Sequence, residues 1–319
     1  MRSLVSARTR VKLKTIRNAP VKMLRHQWLR FASRSTDISE VRTVCLAVGP
    51  YRNLTTLTAS LCGLHPNCQA LNHGGNQILR DRRLNFLEDY SDERFDAFTR
   101  FAVYVSANSR KGVQWGGSIV GSHAFKREAM RNAYAERFGD GLVKEHVHSV
   151  FWKESLRTSN LLRHENVDLG AMFARNDKLR FLYPVRNPLA CALSNIKVGH
   201  VRLFDGLGRD ATLHQVIAAV LREFAWLLDQ HDRWPDRFFY FFENDDIERV
   251  ALDLAAFLRV EPDPRWVDGV KQAYQVESAY DFDGDTLDYY AAQVRTQFAA
   301  RPEIMDRLLA FGRSAHVAS

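Results

Sequence analysis

Arg186, Pro188 and Ser194 stand at a spacing that can hold an anion. The apolar run Leu179 to Val185 reads as a strand that delivers Arg186 to its end, and Pro188 suits the first position of a helix, where its fixed φ and missing N–H cost nothing. Ser194 follows Arg186 by eight residues, so a strand-to-helix turn lets both side chains converge on one phosphate. The guanidinium forks onto phosphate oxygens, the hydroxyl donates beside it, and the helix N-terminus adds its own positive end.

A second segment has the same logic. The apolar run Val41 to Gly49 is followed by Pro50-Tyr51-Arg52-Asn53-Leu54-Thr55-Thr56 and then, from Leu57 to Leu64, by apolar residues at helical spacing. This is strand, loop, helix, with Arg52 supplying charge, Thr55 and Thr56 supplying hydroxyls, and the first backbone N–H groups of the helix facing the same point. It is not a Walker A loop, because the second glycine and the lysine of G-x-x-x-x-G-K-[ST] are missing.

Together the two segments resemble the sulfotransferases that use 3′-phosphoadenosine 5′-phosphosulfate (PAPS). Arg52, Asn53, Leu54, Thr55 and Thr56 stand where that family has a [KR]-[ST]-G-[ST]-[ST] loop for the 5′-phosphosulfate. Arg186, Pro188 and Ser194 meet in full its R-x-P motif with a Ser eight residues after the Arg, which binds the 3′-phosphate. The resemblance continues through Leu64-His65-Pro66-Asn67, Tyr240 to Asn244 and Leu252 to Val260, and so covers residues from about 41 to 260. It implies an α/β fold of three layers, α/β/α, with a central mainly parallel sheet, as in the P-loop NTPase-like sulfotransferase fold. The departure is at the loop glycine, which is Leu54 here, and at Asn53, which replaces Ser or Thr. A side chain at 54 must either adopt a backbone region open to non-glycine residues or push the loop away from the anion.

What the resemblance implies chemically is an in-line displacement. An acceptor hydroxyl or amine attacks sulfur, and the product nucleotide is 3′,5′-adenosine bisphosphate. A general base should take the acceptor's proton, and positive charge should stabilise what builds up on the bridging oxygen. Arg52 is placed by its motif for the second task, and no metal is implied. For the base, Lys144-Glu145-His146 is similar to the K-x-H of the cytosolic sulfotransferases, with His146 as base and Lys144 assisting, although the 40 residues from His146 to Arg186 require an insertion. His73 lies close to where carbohydrate-type relatives place a catalytic Glu. An imidazole of ordinary pKa near ~6.5 serves at neutral pH from either position.

The elements that must position these groups alternate between strand and helix, which argues for a parallel sheet covered on both faces with ligands at the carboxyl ends of its strands. Gln69 to Gly75 reads as a short strand opening into a glycine-rich loop, residues 80 to 101 as helix, Leu142 to His148 as a strand, Leu213 to His231 as an apolar helix and Phe238 to Phe242 as a buried strand. Ser106 to Gly121 is polar and glycine-rich and reads as a loop over the site. Within or near it, Arg110, Lys111 and Lys126 are candidates to reach the 3′-phosphate, and Trp115, Phe125 and Trp152 are rings for a base or a sugar, with core packing the commoner fate. His65 reads as a helix cap and Glu243 as a structural carboxylate at a strand end.

Composition sets the frame. The 319 residues, 46% of them hydrophobic, suit one main domain over 37–319, and no apolar run approaches the roughly 20 residues of a membrane span. Net charge is +8, yet residues 1–36 hold ten Lys or Arg and no acid, leaving 35 basic against 37 acidic residues for the rest. All the basic excess lies in an N-terminal arm whose interleaved apolar residues suit an amphipathic helix on an anionic membrane; a solvated arm, a helix packed on the domain and a targeting segment are the other readings. The four cysteines are scattered, without zinc or C-x-x-C spacing, which fits a reducing, cytoplasmic setting. No nucleic-acid partner is expected. The resulting expectation is transfer of a sulfuryl group from PAPS to a hydroxyl or amine on a small molecule or glycan, carbohydrate or lipid-linked. The alternatives are a sulfotransferase-fold binding protein without turnover and a kinase-like P-loop enzyme.

Overall fold

The computed structural model describes residues 19–109, 116–276, 280–314 and 316–317. In chain order its main elements are helix α1 (Ala19–Ala32), β1 (Thr43–Ala47), α2 (Thr55–Leu64), β2 (Cys68–Asn72), α3 (Asp92–Asn108), β3 (Gly117–Ser118), α4 (Glu128–Phe138) and β4 (Ser149–Lys153). These are followed by α5 (Leu156–His164), α6 (Leu169–Arg175), β5 (Leu179–Val185), α7 (Pro188–Val198), α8 (Leu213–Arg233), β6 (Phe238–Phe242), α9 (Ile247–Phe257), α10 (Pro264–Ala273), α11 (Gly284–Gln297) and α12 (Pro302–Arg313).

Runs such as Thr43–Ala47 and Leu179–Val185 are buried at every position, as strands covered on both faces must be. They form a six-stranded sheet in the order β3-β2-β4-β1-β5-β6, parallel except for the short β3, which runs antiparallel to β2. Alternation along each strand sorts the core. Val44, Leu46, Val150, Trp152, Phe181 and Tyr183 pack on one face with α3, α7 and α8, while Cys45, Ala47, Phe151 and Leu182 pack on the other with α2, α4, α9 and α10. The architecture is three layers, α/β/α, with a central mainly parallel sheet.

Several boundaries differ from the sequence reading, for local reasons. The helix expected over 80–101 begins only at Asp92, because Ser91 accepts from Arg94 N at 3.2 Å as its N-cap and residues 79–90 are turns. Leu142–His148 is not a strand; β4 starts at Ser149, and the Lys144 side chain in that stretch is buried under the C-terminal end of α2. The helix α3 runs on to Asn108, and β3 occupies Gly117–Ser118, so the expected loop over 106–121 is shorter. Arg110, Lys111 and Trp115 lie outside the described residues.

Helix α1, drawn from charge as part of the arm, packs on α3. Leu29 is buried in the main core, His26 Nε2 and Arg30 Nη1 each reach Asp81 at 2.9 Å, and Arg25 donates to Ser109 Oγ at 3.4 Å. Burial opposes ionisation of Asp81, but the hydrogen bond from His26 and the charge of Arg30 outweigh it and hold the carboxyl below its ordinary value. A carboxylate depressed in the folded state stabilises above the unfolded pKa of ~3.9 and loses that contribution as pH falls further. Replacing Asp81 by Ala should therefore lower stability by about 1–3 kcal/mol at neutral pH, and denaturant titrations of both proteins should draw together at pH 3.

Candidate active site

The strand order reverses at β1, which has β4 on one side and β5 on the other, so the loops after these strands open around a single point. The loop after β1 is tightly held. Gly49 N donates to Ser159 Oγ at 2.8 Å, and the Tyr51 carbonyl accepts from Asn195 Nδ2 at 2.7 Å. Asn53 is fully buried, donates through Nδ2 to the Pro184 carbonyl and accepts from Arg186 N at 2.9 Å. Its amide joins the first loop to the end of β5, at the position where the resemblance puts a Ser or Thr.

Leu54 answers the question of the missing glycine. Its φ of 58° and ψ of 2° lie in the left-handed region, the conformation a glycine would supply, so the turn is kept at a cost of about 1–2 kcal/mol. The side chain packs against the α2 face of the core. As N-cap of α2, Leu54 makes no side-chain hydrogen bond to the first-turn N–H groups, a task Ser, Thr, Asp or Asn performs at most helix starts. Thr55 is buried and Thr56 half-buried in that first turn.

Two cationic side chains meet here. Arg52 Nε donates to Ser194 Oγ at 2.9 Å, and Arg186 Nη1 donates to the Arg52 carbonyl at 3.2 Å. Arg186 Nε lies 3.9 Å from Glu243 Oε2 at the end of β6, which makes Glu243 the carboxylate that steadies it. The α7 N-terminus beneath them is capped by Asn187, whose Oδ1 accepts from Leu189 N at 3.0 Å, with Pro188 in the first turn.

Further groups at this edge went unread in the sequence. Lys153, the last residue of β4, is 7% exposed and its Nζ lies 3.5 Å from His73 Nδ1. Burial lowers its pKa to about 8, with Arg52 adding to the effect. Burial and then the Lys153 charge push His73 down to about 3, so its imidazole is neutral across the physiological range. His73 also holds a positive φ of 59° and accepts from Trp152 Nε1 at 2.8 Å through its carbonyl, which fixes Trp152 as a core ring. Glu154 is buried and accepts from the Tyr51 hydroxyl, to which Arg157 donates at 3.0 Å. A Cβ on Gly75 would sit 2.2 Å from Glu154 Oε2, so this glycine makes the room for the carboxylate. His123 and His200 are lowered by partial burial and then by the charges of Arg52 and Lys153, which places both beside the same cluster. A Lys-Glu pair closing an apolar strand was the available signal, hidden because the strand was expected at 142–148.

Lys144 and His146 are at the opposite end of the sheet. They precede β4, and the five residues of that strand put roughly 16 Å between them and Lys153. Lys144 Nζ donates to the carbonyls of Gly63 (2.7 Å), His65 (2.5 Å) and Cys68, capping the end of α2, and its pKa is lowered to about 8 by burial. His146 is exposed and pairs with Glu40 at 3.1 Å. Neither reaches Arg52 or Arg186, so the assignment of His146 as base and Lys144 as its helper is corrected. His65 ends α2 as expected, bonding the Glu261 carbonyl at 2.9 Å. Phe125 is in the core and Lys126 is exposed.

The donor set suits a phosphorylated nucleotide. Arg52, Arg186, Ser194, Lys153 and the uncapped first turn of α2 are cations, a hydroxyl and amides facing one place, with Thr55 and Thr56 beside them. Three stability measurements test these roles. Leu54→Gly relieves the left-handed strain but frees the unfolded chain and removes apolar contact, so the net change should stay within about 1 kcal/mol. Lys144→Met leaves three carbonyls unpaired and should cost about 2–4 kcal/mol. Lys153 is lowered to about 8 in the same way, but its Nζ faces His73 Nδ1 at 3.5 Å and not three carbonyls, so the cost of burying it as a cation dominates at neutral pH and Lys153→Met should raise stability.

No protein-family model and no curated protein matches the sequence. Among solved structures the chain is similar to a sulfotransferase from Alicyclobacillus acidocaldarius, at 15% identity over 86% of this chain and 99% of that one with a TM-score of 0.44. It is similar also to mouse sulfotransferase SULT7A1 complexed with PAP (10% identity, 90% and 94% covered, TM-score 0.41) and to sulfotransferase STF9 from Mycobacterium avium (10%, 92% and 82%, 0.41). At these identities and scores the chemistry has to be argued from the residues.

Proposed function

We propose that the chain transfers a sulfuryl group from PAPS to a hydroxyl or amine acceptor. The observation that carries this reading is the meeting of Arg52, from the segment that resembles the family's phosphosulfate loop, with Arg186 and Ser194, from the one that meets its 3′-phosphate motif, at one edge of the sheet with the buried Lys153 beside them. When bound, PAPS supplies the sulfuryl group and the phosphate that leaves with the nucleotide.

The chain's own residues divide the remaining work. Arg186 and Ser194 hold the 3′-phosphate, and Arg52, Lys153 and the first N–H groups of α2 face the charge of the phosphosulfate. Their positive field is fixed in place before reaction, which is how charge building on a leaving oxygen is stabilised most effectively. His73 is the base. It is neutral because burial and the Lys153 charge keep protons off it, and an anion in the site offsets that charge and raises its proton affinity. Base strength is thereby coupled to occupancy by the donor. Tyr51 and Arg157 orient Glu154, which completes the wall beside Gly75.

The acceptor is carbohydrate or lipid-linked in this reading. A binding protein without turnover drew its support from the side chain at 54, and a Leu54 that holds the glycine's conformation no longer favours it. A kinase-like enzyme needs a lysine in the first loop, which has none.

With radiolabelled PAPS and a panel of hydroxyl acceptors, Lys153→Met and His73→Ala should each lower transfer at least 100-fold, as for a lost charge contact or general base. His146→Ala should transfer at the wild-type rate. Full activity in His73→Ala with loss in His146→Ala would reverse the assignment. Affinity for 3′,5′-adenosine bisphosphate should fall as pH rises above about 8, where free Lys153 loses its proton.

A further inference from the structure

Helix α1 has two faces with different fates. Leu29 and His26 face the domain, whereas Val21, Leu24, Trp28 and Phe31, three or four residues apart, form a stripe on the other side. Each of these four, and Met23 next to them, is 59–65% exposed. Single exposed apolar residues are ordinary, but five of the eight large exposed hydrophobics among the described residues lie on this one helix.

A basic residue borders the stripe. Arg34 is exposed and lies over the Phe31 ring at 5.3 Å from its centre. Residues 1–36 contain ten Lys or Arg and no acid. A second copy of the chain would bring two such faces together against their mutual repulsion, whereas an anionic bilayer complements them.

We infer that α1 is an in-plane docking helix for an anionic lipid membrane. Leu24, Trp28 and Phe31 enter the boundary between headgroups and acyl chains, and Arg34 meets the phosphates. The inference does not depend on the reaction proposed above.

Co-sedimentation of the full chain with vesicles tests it. The protein should pellet with vesicles containing about one-third phosphatidylglycerol and stay in the supernatant with pure phosphatidylcholine, and high salt should release it. The variant L24S/W28S/F31S, changed only at exposed positions, should bind at least tenfold more weakly. R34Q should bind roughly fivefold more weakly. Failure of the wild-type chain to bind phosphatidylglycerol vesicles, unchanged binding by both variants, or a solution dimer that L24S/W28S/F31S dissociates would overturn the inference.

Discussion

The buried amide of Asn53 is the joint on which the site depends. It accepts from Arg186 N and donates to the Pro184 carbonyl, tying the loop after β1 to the end of β5. Neither strand carries an anion site alone. Arg52 and Arg186 belong to separate strand–turn–helix units, and only with the two turns bolted together can Arg52 reach Ser194 and Arg186 reach the Arg52 carbonyl. Loss of either hydrogen bond would leave a polar group unpaired in the protein interior, which is why the joint is rigid. Strand order makes this possible, since β5 is the neighbour of β1 although more than one hundred residues separate them.

Around that joint the fold concentrates positive charge where water is scarce. Lys153 is depressed by burial and by Arg52, His73 by burial and by Lys153, and Tyr51 is pushed up by burial and by Glu154. Such a cluster works against folding and in favour of any anion that enters it. Leu54 adds a second local cost, left-handed backbone at a residue with a side chain. Strain and cationic charge are collected at this one edge, in a domain whose two cores are otherwise continuous and apolar.

How much of this was legible in the sequence follows from how local each signal is. The turn at Arg186, Pro188 and Ser194 was readable because a strand, a proline at a helix start and an eight-residue spacing are all set within one short stretch. Phe238–Phe242 was read to the residue for the same reason. Lys153 was missed because β4 is fixed by pairing with β1 and β2 and by helices packed on both faces, contacts far away in sequence, while Leu142–His148 held enough apolar residues to pass for the strand. That shift of one segment carried the proposed base to the wrong end of the sheet and hid the Lys153–Glu154 pair. The role of Asn53 was hidden too, because a loop residue's partners across the sheet leave no trace in its spacing. Helix α1 was visible as a basic amphipathic stretch, but which of its faces the domain covers could be decided only by Leu29 and Asp81.

The most direct measurement is calorimetric titration of the purified protein with 3′,5′-adenosine bisphosphate beside the 5′-monophosphate. Arg186 and Ser194 are assigned to the 3′-phosphate, so the account predicts micromolar binding of the bisphosphate and at least tenfold weaker binding of the monophosphate, in keeping with the loss of charged hydrogen bonds. Equal affinities, or no binding of the bisphosphate by a folded sample, would contradict it.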